Sequence, residues 1–188
     1  MPKTTPALNR LALAVLALAA AAQAEETIEV KARDLTLNVP KSWKQEEPSS
    51  SMRAAQFRIP KVEGDKEDGE LAVFTFPGGG SVDANLKRWV AQFQPDGRTA
   101  ACVKGKCAQG EYYLLDVSGT YKKSIGPPMA GKSEDVPGSR MLALIVPLGE
   151  KGMYFVKLTG PDKTVAAQAD AMRASVGGDK AKEEEVKL

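Results

Sequence analysis

The run Leu71-Ala72-Val73-Phe74-Thr75-Phe76 constrains the fold more than any other stretch of the sequence. Successive side chains of a strand point to opposite faces, so a half-exposed strand alternates apolar and polar residues. Here both faces are apolar, which points to a sheet covered on two sides. Met141-Leu142-Ala143-Leu144-Ile145-Val146 reads the same way, as a central strand joined through Leu148-Gly149-Glu150-Lys151-Gly152 to a hairpin partner over 152–158. Ala55-Gln56-Phe57-Arg58-Ile59 alternates cleanly instead, with one face buried and one solvated.

Strands are further expected over 28–32, 35–39, 54–59 and 70–76, and again over 98–103 and 107–121, the last with an irregularity. Between the two series the period changes. Val82, Leu86, Trp89, Val90 and Phe93 fall on one stripe of a helix over 82–94, with Ser81 as its N-cap and Pro95-Asp96-Gly97 ending it. A final helix is expected over 164–176, with Val165, Ala169, Met172 and Val176 on one side and Gly177-Gly178 stopping it. Residues 177–188 are charged and poor in apolar groups, the composition of a mobile tail. Helices separated by strands, around a sheet apolar on both faces, make a single α+β layered domain over 25–176.

Two segments carry a resemblance. Leu35-Thr36-Leu37-Asn38-Val39-Pro40-Lys41-Ser42-Trp43, a strand closed by Pro and then Trp, resembles the opening of PsbP-like domains. Tyr154-Phe155-Val156-Lys157-Leu158-Thr159-Gly160-Pro161 followed by a helix is similar to their last strand and closing helix. The resemblance implies a central antiparallel sheet with helices packed on both faces, an α-β-α sandwich, and an accessory or binding role. It carries over no functional residue and no photosynthetic function. Metal sites in that family involve histidine, which this chain lacks.

The N-terminus reads as an export signal. Lys3 and Arg10 precede the apolar run 11–22, and Ala22-Gln23-Ala24 offers small residues where a signal peptidase reads them, so cleavage is expected after Ala24. The run is shorter than the roughly 20 residues of a membrane-spanning helix, and no cysteine stands at the cleavage point for a lipid anchor. An exported chain, periplasmic or secreted and without a membrane span, is the expectation. Loss of the two leader cations brings the 26 basic residues level with the 24 acidic ones. Nucleic-acid binders carry a basic surplus that displaces counterions from phosphates, and none remains here.

The cysteines, Cys102 and Cys107, enclose Val103-Lys104-Gly105-Lys106. With Lys104-Gly105 as a two-residue turn they become a cross-strand pair, and an oxidising compartment then favours a disulfide stabilising by about 2 kcal/mol. Thioredoxin-type redox sites use the tighter C-x-x-C spacing, and a zinc site needs four ligands.

Histidine is absent, which removes Ser-His-Asp and Cys-His nucleophilic systems and the usual neutral-pH proton shuttle. Ser124 beside Lys123 leaves a Ser-Lys pair open, though a lysine base must be desolvated. Gly78-Gly79-Gly80-Ser81 lies between a strand and a helix start, which makes Gly79, Gly80 and Ser81 a candidate anion site. Neither G-x-x-x-x-G-K-[ST] nor G-x-G-x-x-G is present, and a flexible connection with an N-cap explains the same residues. The segment 124–139 exceeds the usual length of a connection. Ile125, Pro127, Pro128, Met129, Lys132 and Val136 are its candidate partner contacts, with a neutral surface insertion as the alternative. The acidic run in 61–69 lacks the calcium-loop pattern and reads as a solvated turn. Trp43 and Trp89 read as core anchors.

The function expected is a non-catalytic, cofactor-free exported binding or accessory domain that engages another envelope protein. A small-ligand or anion binder using the glycine-rich helix start is the alternative, and a histidine-free enzyme the second alternative, to be recognised by a perturbed lysine or carboxylate in a cleft.

Overall fold

The computed structural model describes residues 25–76, 78–126 and 131–188. The expected leader, 1–24, and the contacts expected of Pro127, Pro128 and Met129 lie outside the described residues.

Strands β1 (Thr27–Ala32) and β2 (Leu35–Pro40) form a hairpin of their own, turned at Arg33, whose φ is 58°. There follow β3 (Lys44–Glu46), β4 (Arg53–Ile59), β5 (Gly69–Phe76) and helix α1 (Val82–Val90). Next come β6 (Thr99–Cys107), β7 (Gly110–Ser124), β8 (Ser133–Pro147) and β9 (Met153–Pro161). Helices α2 (Asp162–Ala166) and α3 (Ala169–Ser175) and the short strand β10 (Glu184–Glu185) close the chain. Apart from the β1–β2 hairpin, the strands make one eight-stranded sheet in the order β10-β6-β7-β8-β9-β5-β4-β3, with antiparallel pairing throughout.

Both faces of this sheet are buried over its centre, as the doubly apolar runs require. On one face Phe57, Leu71, Val73, Leu142, Leu144 and Val156 meet the hairpin residues Leu35, Leu37 and Val39 together with Trp43, Val165 and Met172. On the other, Leu115, Val117, Met141, Ala143, Ile145 and Phe155 meet Leu86, Trp89 and Phe93 of α1 and the turn after it.

The helix-packed sandwich expected from the sequence is corrected: the protein is mainly β. Helix α1 spans nine residues, α2 five and α3 seven, and much of one face is covered by the second sheet. The reason lies in the pairing. Strands β1 and β2 bond only to each other and lay their alternating apolar side chains flat on the main sheet, doing the work expected of a helix. The expected closing helix is broken at Ala167-Gln168, where Gln168 accepts a hydrogen bond from Trp43 Nε1 at 2.8 Å.

The disulfide is also corrected. Lys104 and Gly105 sit inside β6, and the hairpin turns after Cys107, which pairs with Gly110. Five residues of extended strand, roughly 3.3 Å each, separate the two cysteines beyond the 7 Å that a bridge between their Cα atoms can span. An odd spacing also sends them to opposite faces, Cys102 to the α1 side and Cys107 to the hairpin side. Both are free thiols.

Two segments read as irregular carry strand structure in part. Ser124 and residues 133–139 belong to strand arms: Tyr121 pairs with Val136, Lys123 with Glu134 and Ser124 with Ser133, past a register shift at Gly119–Tyr121. The expected mobile tail, 177–188, instead pairs Glu184 and Glu185 with Lys104 and Val103 of β6. Tyr112 and Arg173 both donate to Glu183 there. The acidic run in 61–69 caps helix α2, because Asp65 accepts from both the backbone N and the hydroxyl of Thr164.

Candidate functional site

The sequence-predicted anion site, Gly79, Gly80 and Ser81, is closed by its own groups. Ser81 is the N-cap and accepts from Ala84 N at 3.1 Å. Gly79 N donates to Phe76 O and Gly80 N to Gly78 O. Asn85, buried in the first turn, donates to the carbonyls of Gly79 and Ser81, and Asp83 adds a negative charge.

The arm 124–133 places Ile125 and Lys132 together at its exposed end, where Ile125 N donates to Lys132 O. Val136 is half-buried further down. The Lys123 and Ser124 side chains are exposed, so the lysine lacks the desolvation that a Ser-Lys mechanism needs.

A different cluster is built by residues the sequence reading did not select. Strands β5 and β9 pair Phe74 with Phe155 and Ala72 with Lys157, on the face that α1 covers. Helix α1 packs Leu86 and Trp89 against Phe155 of β9, and beyond them on β5 Phe74 is half-buried and Phe76 exposed. A recess of about 160 Å³ opens here, lined by Phe74, Phe76, Arg88, Trp89, Phe155 and Lys157, with Gln92 at its edge. The floor is aromatic. Phe74 and Phe76 are near parallel at 6.5 Å, and Trp89 meets Phe155 edge-on at 5.5 Å. Phe76 is 39% exposed.

The rim is cationic. Lys157 Nζ donates to Gln92 Oε1 at 2.8 Å and lies 5.5 Å from the ring centre of Tyr121, whose hydroxyl is 3.4 Å away. Arg88 donates to Asn85 Oδ1 and lies over Trp89. Arg53 lies over Phe74 and pairs with Glu70 at 3.0 Å. Thus Lys157 and Arg88 face neutral amide, phenol and indole partners, while Arg53 has a carboxylate. Burial pushes the Lys157 ammonium down to about 8, and the neighbouring Arg88 and Arg53 add to that against a smaller opposing pull from Glu70. Burial raises the Tyr121 phenol, which keeps it protonated at neutral pH.

A larger open groove of about 500 Å³ lies at the end of the sheet, between Arg33, Asp34, Lys151 and Tyr154. Within it Asp34 accepts from Tyr154 Oη and lies 3.9 Å from Lys151. Among the described residues no helix is long and apolar enough to cross a membrane, and no three His, Cys, Asp or Glu side chains gather as a metal site.

Lys157 had a signal in the sequence, as the lone charge inside Phe155-Val156-Lys157-Leu158. Its meeting with Arg88 had none, because it depends on where α1 crosses the sheet.

No family model matches the chain, and no curated protein matches it. Among solved structures it is similar to the solution structure of cyanobacterial PsbP (CyanoP) from Synechocystis sp. PCC 6803. The identity is 15% and the TM-score 0.40, over 80% of this chain and 86% of that one. The PsbP resemblance read in the sequence reaches this similarity and brings no residue, ligand or partner with it.

Proposed function

We propose that the protein is a non-catalytic binding or accessory domain, exported by its leader, that engages another envelope protein through the strip of its main sheet around Phe76 and the recess beside it. The observation that supports this most is the combination of an exposed aromatic, Phe76, with the cations Arg88 and Lys157 beside it. Aromatic residues and Arg are the groups enriched where proteins meet. Nothing in the fold needs Phe76 in the open: on the same face, Phe155 and Trp89 are buried.

The histidine-free enzyme has one residue behind it, since a lysine lowered to about 8 suits amine chemistry. Its contacts, an amide and a protonated phenol, supply no carboxylate to exchange protons with it, and the binding reading uses the same residue without that need.

Affinity capture from an envelope extract tests the proposal, with the purified protein, a Phe76→Asp variant and a variant whose arm 124–133 is replaced by a short Gly-Ser link. A protein retained by the first and third but lost with Phe76→Asp supports the sheet strip. Loss with the shortened arm alone moves the contact to Ile125 and Lys132, and no retention by any of them overturns the accessory reading.

A further inference from the structure

We propose that the recess between α1 and strands β5 and β9 receives the carboxylate of an acidic side chain, carried next to an aromatic residue on a segment of the protein partner. This rests on the reading that the strip meets a protein, and adds the chemistry that is held there.

Charge gives the sign of the occupant. Arg88 and Lys157 converge on one small space and repel each other. Arg53 is already paired with Glu70, which leaves two cations with neutral partners. A charge-assisted hydrogen bond to a carboxylate is roughly twice as strong as a neutral one, and a carboxylate between these two also removes their repulsion.

Size gives its class. Sites for cofactors and drug-sized ligands run to about 300–1,000 Å³, whereas this recess offers about 160 Å³. A single side chain fits. The aromatic floor supplies the second half of the match: Phe76, open to solvent and tilted 5.9 Å from Phe155, offers a face for an adjacent ring.

Protonation gives a signature. The groups facing Lys157 are Arg88 from α1, Arg53 from β4, Glu70 from β5 and Tyr121 from β7. Lys157 loses its proton near pH 8 in the empty recess, so carboxylate affinity should weaken as pH rises through that value. Binding should in turn raise the proton affinity of Lys157.

Amide chemical-shift titration of the purified protein tests this, with the blocked tetrapeptide acetyl-Ser-Phe-Glu-Ser-amide, its Gln counterpart and free 3-phenylpropionate as probes. The expected result is shifts confined to residues 74–76, 88–92 and 155–157. Affinity should be about tenfold higher for the Glu peptide than for the Gln peptide, and about tenfold lower in Arg88→Gln. Arg88 is exposed, so that variant keeps the fold. Equal binding of the Glu and Gln peptides, or no shift at those amides, overturns the proposal. Binding of 3-phenylpropionate as tight as that of the Glu peptide overturns the peptide occupant in favour of a small free acid. A Glu preference with an empty envelope capture sinks the partner reading and leaves the carboxylate chemistry; a positive capture without that preference sinks the carboxylate chemistry alone.

Discussion

Gln109, in the turn between β6 and β7, holds both backbone groups of Thr36: its Oε1 accepts from Thr36 N at 2.8 Å and its Nε2 donates to Thr36 O at 2.7 Å. Thr36 lies in β2, whose other edge is taken by β1. One side-chain amide therefore supplies a rung of the ladder that a third strand would have supplied, and ties the hairpin to the main sheet. Gln109→Ala leaves two half-buried backbone groups without that partner. A loss of about 1–3 kcal/mol is expected, measurable as a lower denaturant midpoint with unchanged slope.

Tyr112 is fully buried between two glycines. A Cβ on Gly105 or on Gly178 would stand 2.5 Å from its phenol group, so neither position accepts a side chain while the tyrosine keeps its place. Gly105→Ala should destabilise by about 1–3 kcal/mol through overpacking. The double variant Gly105→Ala with Tyr112→Leu should recover part of that loss. Thermal unfolding of the two variants provides the check, and additive losses would show that the ring is not the obstacle.

The thiols give a chemical test of the register. Burial pushes Cys102 up to about 11, while Cys107 is partly exposed. At pH 8 an aromatic disulfide reagent should label one thiol rapidly and the other only as the protein unfolds. Cys107→Ser should abolish the fast reaction. Intact-mass measurement of the purified protein should show two reduced thiols, and a bridged form would require a register other than Cys107 opposite Gly110.

The cysteine pair also marks where sequence and structure part. Gly105 reads as a turn residue because glycine usually marks one, yet here it makes room for Tyr112 across the strand pair. That close approach depends on a residue seven positions on and on Gly178 beyond α3. Short-range patterns fared better. The period change at Val82, the cap at Ser81 and the doubly apolar strands all stand in the structure. What local pattern could not reveal was which strands pair: β1 and β2 alternate like sheet members but form a separate layer. Charges over 177–188 hid a strand held by Glu183. The recess was illegible for the same reason, since Phe74, Arg88 and Lys157 come from three separate elements.

Glu183 latches the C-terminal segment. Its side chain is 5% exposed and accepts from Arg173 Nε and from Tyr112 Oη. Burial works to lower the Arg173 guanidinium, and the bond to Glu183 together with the charges of Glu183 and Asp170 outweighs it, so that it is raised. Removing one member of such a pair leaves a buried charge with less compensation; the one carboxylate Arg173 would keep is Asp170, which is largely exposed. Glu183→Gln should cost about 3 kcal/mol, with hydrogen-exchange protection lost first at residues 184–186, where β10 bonds to β6. Uniform loss across the sheet would show that the segment is not a separately held unit.

Lys157 predicts a pH dependence of definite sign. Its ammonium titrates near 8 in the folded chain against 10.5 for an unperturbed lysine, so between those values the unfolded chain holds more protons. Stability from this group therefore rises with pH across that window; it is complete above about 10.5 and lost as pH falls through about 8. At neutral pH the folded protein bears the cost of a largely desolvated cation, on the order of 3 kcal/mol. Lys157→Met keeps the length of the side chain and removes that charge. The variant should be at least as stable as the parent at pH 7, and its advantage should shrink as the pH is raised towards 10. Paired denaturant titrations at pH 7 and pH 10 measure this difference while the other lysines and tyrosines cancel between the two proteins. A variant equally destabilised at both pH values would mean that the bonds to Gln92 and Tyr121 outweigh the desolvation. The ammonium would then be a structural strut, and the tension that a bound carboxylate is proposed to relieve would be absent.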